Sequence, residues 1–231
     1  MTDTLSGKQI VLAGGAGGLG LPLAKNLAAE GAQVVISSRT GRGNAIQADL
    51  AIADDRIRLL TAAPQLYGIV VLAGDPARIQ DPSEIDAAMR LSHEANYFGP
   101  ILLAREAAAR MKATGTPGSI VLISTMQANF LFPGSTIYAA QKAALQHAAL
   151  ILAKECRGPA NIRVNVVSPG IMDAGMAQAS IAAGKYNRYL DDGTIPRFGR
   201  PEDVARAVRL LLEPDSYITG QVLCVDGGMT L

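Results

Sequence analysis

The sequence predicts an α/β fold, a doubly wound parallel sheet of about seven strands with helices on both faces. Three observations lead there. Short apolar runs recur along the chain: "KQIVLA" (8–13), "QVVIS" (33–37), "GIVVLA" (68–73), "SIVLIS" (119–124), "IRVNVVS" (162–168) and "QVLCVD" (221–226). They are continuously apolar instead of alternating, so each reads as a strand covered on both faces. Longer helical stretches separate them, at about 18–30, 83–112, 135–157 and 201–212.

The first run is followed directly by "GGAGGLG", Gly14 to Gly20, and then by a helix. Glycines there permit a tight turn and close backbone approach, and the free amides at the positive end of the helix suit a diphosphate. A dinucleotide would therefore sit on this loop, in a Rossmann-like arrangement. Two spacings are present: Gly15, Gly17 and Gly20 fit G-x-G-x-x-G, while Gly14, Gly18 and Gly20 fit G-x-x-x-G-x-G. The second run ends in "SSRTGR", with no carboxylate to hold a ribose 2′-hydroxyl. Ser37, Ser38, Arg39 and Arg42 instead offer hydroxyls and positive charge, which favours NADP(H) and leaves NAD(H) possible. Ser83 followed by Asp86 resembles a capping box opening the long helix near 83, and Pro201 suits a first helical turn.

Composition bounds the rest. A chain of 231 residues, nearly half of them apolar, fits one domain with a sizeable core, and no repeat or linker marks a second. A net charge of +1 without long single-sign runs gives no footprint for nucleic acid. Four phenylalanines and no tryptophan against 24 glycines describe a closely packed interior of small residues. Cys156 and Cys224 lie far apart, no apolar stretch reaches the length of a membrane span, and "MTDTLSGKQI" has no leader-like pattern. A cytoplasmic protein with free thiols, away from membranes, is expected.

The chemistry centres on "IYAAQKAAL" (137–145), where Tyr138 and Lys142 lie four apart on a helix and so share a face. A cation near a phenol favours its ionised form and moves it toward use as a general acid or base.

Together the glycine loop, "YAAQK", "VNVVSPG" and "RFGRPEDVARAVRLLLEPDSYITGQVLCVDGG" resemble the short-chain dehydrogenase/reductase family, especially members like 3-oxoacyl-carrier-protein reductase. The resemblance spans essentially the whole chain. It implies reading the loop as Gly14, Gly18 and Gly20, with Leu19 and Gly74 also along the cofactor. It implies Tyr138 as catalytic acid/base, and Lys142 as the residue that holds the nicotinamide ribose and lowers the tyrosine's pKa. Asn96 in "EANYFG" would order a water for proton relay, Asp49 would accept from the adenine amino group, and Ile171, after Pro169 and Gly170, would present backbone to the carboxamide. The catalytic serine position, thirteen residues before the tyrosine, falls on Thr125. Ser124 is the alternative, because neighbouring strand side chains face opposite ways.

The chain also departs from the family pattern. Val71 and Leu72 stand at the two asparagine positions of Asn-Asn-Ala-Gly, and Ala174 stands where a threonine would reach the carboxamide. The interval between Arg39 and Asp49 is too short for the usual helix and strand, so that sheet edge should be trimmed. Segment 171–200 reads as a substrate lid with short helices, in which Met172, Met176, Tyr186 and Tyr189 suit a partly apolar small-molecule carbonyl or alcohol substrate. The resemblance further implies a homo-oligomer, tetramer or dimer, through the helices near 83–112 and 135–157. His93 and His147 read as structural.

Overall fold

The computed structural model describes residues 5–79 and 81–231; residues 1–4, the start of the stretch searched for a leader, lie outside the described residues. Seven parallel strands form one sheet in the order β3-β2-β1-β4-β5-β6-β7. They are β1 (Gln9–Ala13), β2 (Gln33–Ser38), β3 (Ile46–Gln47), β4 (Leu66–Val71), β5 (Gly118–Ile123), β6 (Ile162–Pro169) and β7 (Val222–Val225). The helices are α1 (Gly20–Ala29), α2 (Ala53–Thr61), α3 (Ile85–His93), α4 (Gly99–Thr114), α5 (Thr136–Glu155), α6 (Gln178–Ala182), α7 (Arg188–Asp191) and α8 (Pro201–Leu212).

The pleat of β1 shows why the runs are apolar throughout. Val11 and Ala13 enter a core packed by α4 and α5 residues such as Leu103 and Leu145. Ile10 and Leu12 point the other way, into a core with Leu23 and Leu27 of α1 and Val208 and Leu211 of α8. Val71 and Leu72, at the positions where the family pattern has asparagines, pack one into each core.

The trimmed edge is real: β3 is two residues long and follows β2 with no helix between them. Three details correct the reading of the chain. The cap near residue 83 is Asp81, whose side chain accepts from the Ser83 N–H, so Ser83 heads no capping box. The stretch 83–112 is not one regular helix, because a π-helical turn, Glu94–Phe98, joins α3 to α4. The fifth run is not wholly apolar inside: β6 buries Arg163 and Asn165, with hydrogen bonds that satisfy them. No helix among the described residues is long and apolar enough to cross a membrane.

Candidate active site

Parallel strands place all their C-terminal ends on one edge, and the loops leaving that edge enclose a cavity of about 1230 Å³. Its wall includes the glycine loop, Arg39 beyond β2, the turn at Asp49, and Thr125, Tyr138 and Lys142. Pro169, Gly170 and Ile171, at the end of β6, form the opposite bank.

The loop geometry separates the two glycine spacings. A Cβ on Gly14, which has φ +78°, would lie 2.6 Å from the Ala73 backbone nitrogen. On Gly18 it would lie 2.7 Å from Gly175 N, and on Gly20 2.3 Å from Gly15 O, whereas Gly17 has ordinary room at 3.7 Å. A Cβ on Gly15 would also be too close, at 2.7 Å from Leu12 Cβ, so of the two spacings only the one through Gly17 includes a position with room for a side chain, and Gly14, Gly18 and Gly20 are all closed to one. The result is a backbone-lined cradle that opens α1, with the chemistry a diphosphate needs. Leu19 stands immediately before α1 and lines the same wall.

At the other end of this bank, Ser38 Oγ accepts from the Arg42 N–H at 3.2 Å, and Asp49 Oδ1 accepts from the Ala51 N–H at 2.9 Å. The Arg39 guanidinium pairs with Asp75 at 3.8 Å. Gly74 is needed for space as well: a Cβ there would come 2.9 Å from Asn96 Oδ1 and 3.4 Å from Lys142 Nζ.

Strand geometry decides between the two hydroxyls after β5. Ser124 continues the ladder to Val167 O and turns its Oγ onto the Lys142 backbone carbonyl at 3.1 Å, so it ties β5 to α5. Thr125 faces the opposite way, toward the Tyr138 hydroxyl, whose ionised form it favours, and accepts from the Gln127 N–H. Lys142 is buried, and its ammonium donates to the carbonyl of Ile123 at 2.9 Å and, more weakly, to that of Ala73 at 3.5 Å.

Burial sets both ionisations. It pushes the Tyr138 hydroxyl up to about 12, only partly offset by the neighbouring Thr125 hydroxyl, and pulls Lys142 down to about 8. The expectation that Lys142 lowers the tyrosine therefore fails in this arrangement. Its ammonium lies 6.0 Å from the ring centre and is turned to backbone carbonyls, and desolvation dominates.

Asn96 is fully buried on the π-helical turn, behind the cavity wall. Its side chain holds the backbone of Asp75 from both sides, accepting from N–H at 3.0 Å and donating to C=O at 2.9 Å, and also donates to Ser92 Oγ. The Ile171 carbonyl is taken by the Gly199 N–H at 2.9 Å, which closes the neck of segment 171–200.

Within that segment, Met172, Met176 and Tyr186 reach the cavity. Tyr189 does not: it is buried in a small separate cluster with Ile195 and Met229. Ala174 presents only a methyl group, next to the point where Gly175 meets Gly18.

The sequence reading missed Gln127, Phe132 and Ser135. Gln127 bonds Ser135 Oγ, and Phe132 meets Tyr186 edge-on at 6.2 Å across the substrate side. The only sequence signal for them was their place in the interval between Thr125 and Tyr138.

Comparison with known proteins follows the same geometry. A family model described as enoyl-(acyl carrier protein) reductase matches residues 70–230. A 3-oxoacyl-[acyl-carrier-protein] reductase of Chlamydia trachomatis is 32% identical over 99% of this chain and 100% of its own length. Among solved structures, a short-chain type dehydrogenase/reductase from Mycobacterium ulcerans superposes with a TM-score of 0.88 at 28% identity, covering 98% of this chain and 91% of that one. Two others share the fold at 24% identity. ElxO with NADP bound has a TM-score of 0.83 over 96% of this chain and 98% of its own. A short-chain dehydrogenase from Leptospira borgpetersenii with bound NAD+ has a TM-score of 0.85 over 100% of this chain and 95% of its own.

Proposed function

The chain belongs to the short-chain dehydrogenase/reductase family, and from that premise we propose that it reduces a ketone or aldehyde to an alcohol, or runs the reverse oxidation, preferring NADP(H) and accepting NAD(H). The observation that carries this reading is the placing of the Thr125 and Tyr138 hydroxyls together in the wall of a nucleotide-sized cavity. Two hydroxyls so placed converge on a single substrate oxygen, which suits a carbonyl better than a carbon–carbon double bond.

The backbone cradle at Gly14, Gly18 and Gly20 fits a dinucleotide diphosphate, with Arg39, Ser38 and Asp49 toward the adenosine and Gly74, Lys142 and the Pro169–Ile171 backbone toward the nicotinamide. A nicotinamide nucleotide bound there supplies hydride. ElxO with NADP and the Leptospira protein with NAD+ agree with a nucleotide in this cleft.

Thr125 donates to the carbonyl oxygen and steadies it, while its methyl group and stiff χ1 narrow the space beside it. Tyr138, protonated at neutral pH because burial holds its pKa near 12, gives that oxygen its proton. Lys142, next along α5, and Asn96 behind it replenish the proton, while Ser124 keeps α5 fixed against β5. Segment 171–200 serves as the substrate lid, and Phe132, Met176 and Tyr186 give the small-molecule site a partly apolar wall.

Tyr138→Phe tests the reading. Carbonyl reduction should fall by about 10²- to 10⁴-fold while nucleotide affinity stays within about twofold. Unchanged turnover would remove Tyr138 from the mechanism. A second reading, a nucleotide-binding protein without turnover, draws on Ala174, which lacks the hydroxyl expected at the carboxamide. Tight nucleotide binding with no reduction across a panel of ketones and aldehydes would favour it.

A further inference from the structure

The ion pair between Arg39 and Asp75 spans the nucleotide cleft. β2 and β4 are the two neighbours of β1, and the glycine loop leaves β1 between them. Arg39 follows β2 and Asp75 follows β4, so a contact between their side chains crosses above that loop. Nη2 of Arg39 lies 3.8 Å from Oδ2 of Asp75, with the two side chains 53% and 20% exposed.

The partners differ in freedom. Asp75 Oδ1 accepts from the Ala77 N–H at 2.9 Å, and the Asp75 backbone is gripped on both sides by the buried Asn96. Arg39 sits at the end of a long, exposed side chain. Asp75 is therefore the fixed charge and Arg39 the one that can turn to another anion.

We propose that Asp75 is a specificity-determining residue, an internal counter-ion that competes with the 2′-phosphate of NADP(H) for Arg39 and so keeps the site open to NAD(H). The proposal rests on reading the cleft as a nicotinamide-nucleotide site. Three guanidiniums, Arg39, Arg42 and Arg78, line the cleft with the Asp49 carboxylate, and only Arg39 is paired there with the fixed carboxylate of Asp75. A phosphate monoester brings roughly 1.5 to 2 negative charges, and it must draw Arg39 away from Asp75 and then lie close to that carboxylate. A ribose 2′-hydroxyl does neither, so Arg39 stays paired when NAD(H) binds. Asn96 connects the two ends of the cleft: the side chain behind Gly74 and Lys142 also fixes the charge that meets the phosphate reader.

The test is calorimetric titration of wild type and Asp75→Asn with NADPH and with NADH at low ionic strength, where exposed charges are least screened. Asparagine keeps an acceptor for the Ala77 N–H, so the turn is preserved. NADPH should bind roughly three- to fivefold more tightly to the variant, the scale of an exposed charge pair, while NADH changes by less than about twofold. In Arg39→Ala, adding Asp75→Asn should bring a smaller NADPH gain than it brings in wild type.

An unchanged NADPH-to-NADH affinity ratio in an Asp75→Asn protein that melts with wild type overturns this inference and leaves the proposed function standing. Wild type that binds neither nucleotide overturns both. If Asp75→Asn does not fold, Asp75→Ser removes the charge with an acceptor kept, and the same ratio decides.

Discussion

Tyr138 and Lys142 lie one turn apart on α5, and burial moves them in opposite directions, each toward its neutral form. For Lys142 the folded value of about 8 lies below the ordinary 10.5, so between these pH values the unfolded chain binds a proton that the folded chain does not. Stability contributed by this group therefore rises with pH from about 8 to 10.5. Denaturant unfolding at pH 8 and pH 10 should show a smaller rise in Lys142→Met than in wild type. For Tyr138 the folded value of about 12 exceeds 10.0, so alcohol oxidation, which needs the phenolate, should climb about tenfold per pH unit through pH 7 to 9, while the tyrosine stays in its proton-donating form for reduction. A flat oxidation profile over that range contradicts the assignment of Tyr138 as base. At this scale the sequence named the residues better than their roles. Spacing located Tyr138 and Lys142, and the family resemblance Thr125, but whether a lysine acts on a phenol depends on which carbonyls its ammonium meets, and those of Ile123 and Ala73 come from the ends of β5 and β4. The competitor for Arg39 was equally hidden, because Asp75 reaches it only through the strand order.

At the scale of elements, α8 shows how packing and function divide between the two ends of the sheet. Its last carbonyls would be orphaned inside the protein, and side chains from three strands satisfy them: Tyr67 of β4 donates to Leu212 O, Ser119 of β5 to Leu211 O, and Arg163 of β6 to both Leu211 O and Glu213 O. Arg163→Leu leaves Glu213 O without this donor and should cost about 1 to 3 kcal/mol of stability in denaturant unfolding, with nucleotide affinity unchanged. The six apolar runs and four helical stretches were legible because continuous apolarity is what a doubly covered strand requires. Two elements were not. β3 has only two residues, and α2 buries just Arg56, Leu59 and Leu60 in a charged nine-residue stretch, too little for a periodic signal. The π-helical turn at Glu94–Phe98 looks like ordinary helix in sequence, yet it carries Asn96.

For the molecule as a whole, the exposed surface of α5 carries Ala140, Ala144, His147 and Ile151, spaced along one face, with Phe98 exposed on the π-helical turn before α4. We expect this face to meet a second copy, giving a dimer or tetramer by light scattering, and Ile151→Glu to shift it to a smaller species; a wild-type monomer contradicts this. The central claim, a nicotinamide nucleotide seated on the glycine loop, is tested most directly by thermal unfolding with no addition, with NADP(H) and with NAD(H). At about a hundredfold excess over the dissociation constant, binding adds about 2.7 kcal/mol, which raises the midpoint by about 5 to 10 °C. The account expects a rise with both nucleotides, larger for NADP(H), and its reduction in Gly18→Ala, whose added carbon would strike the Gly175 backbone. No rise with either nucleotide contradicts it.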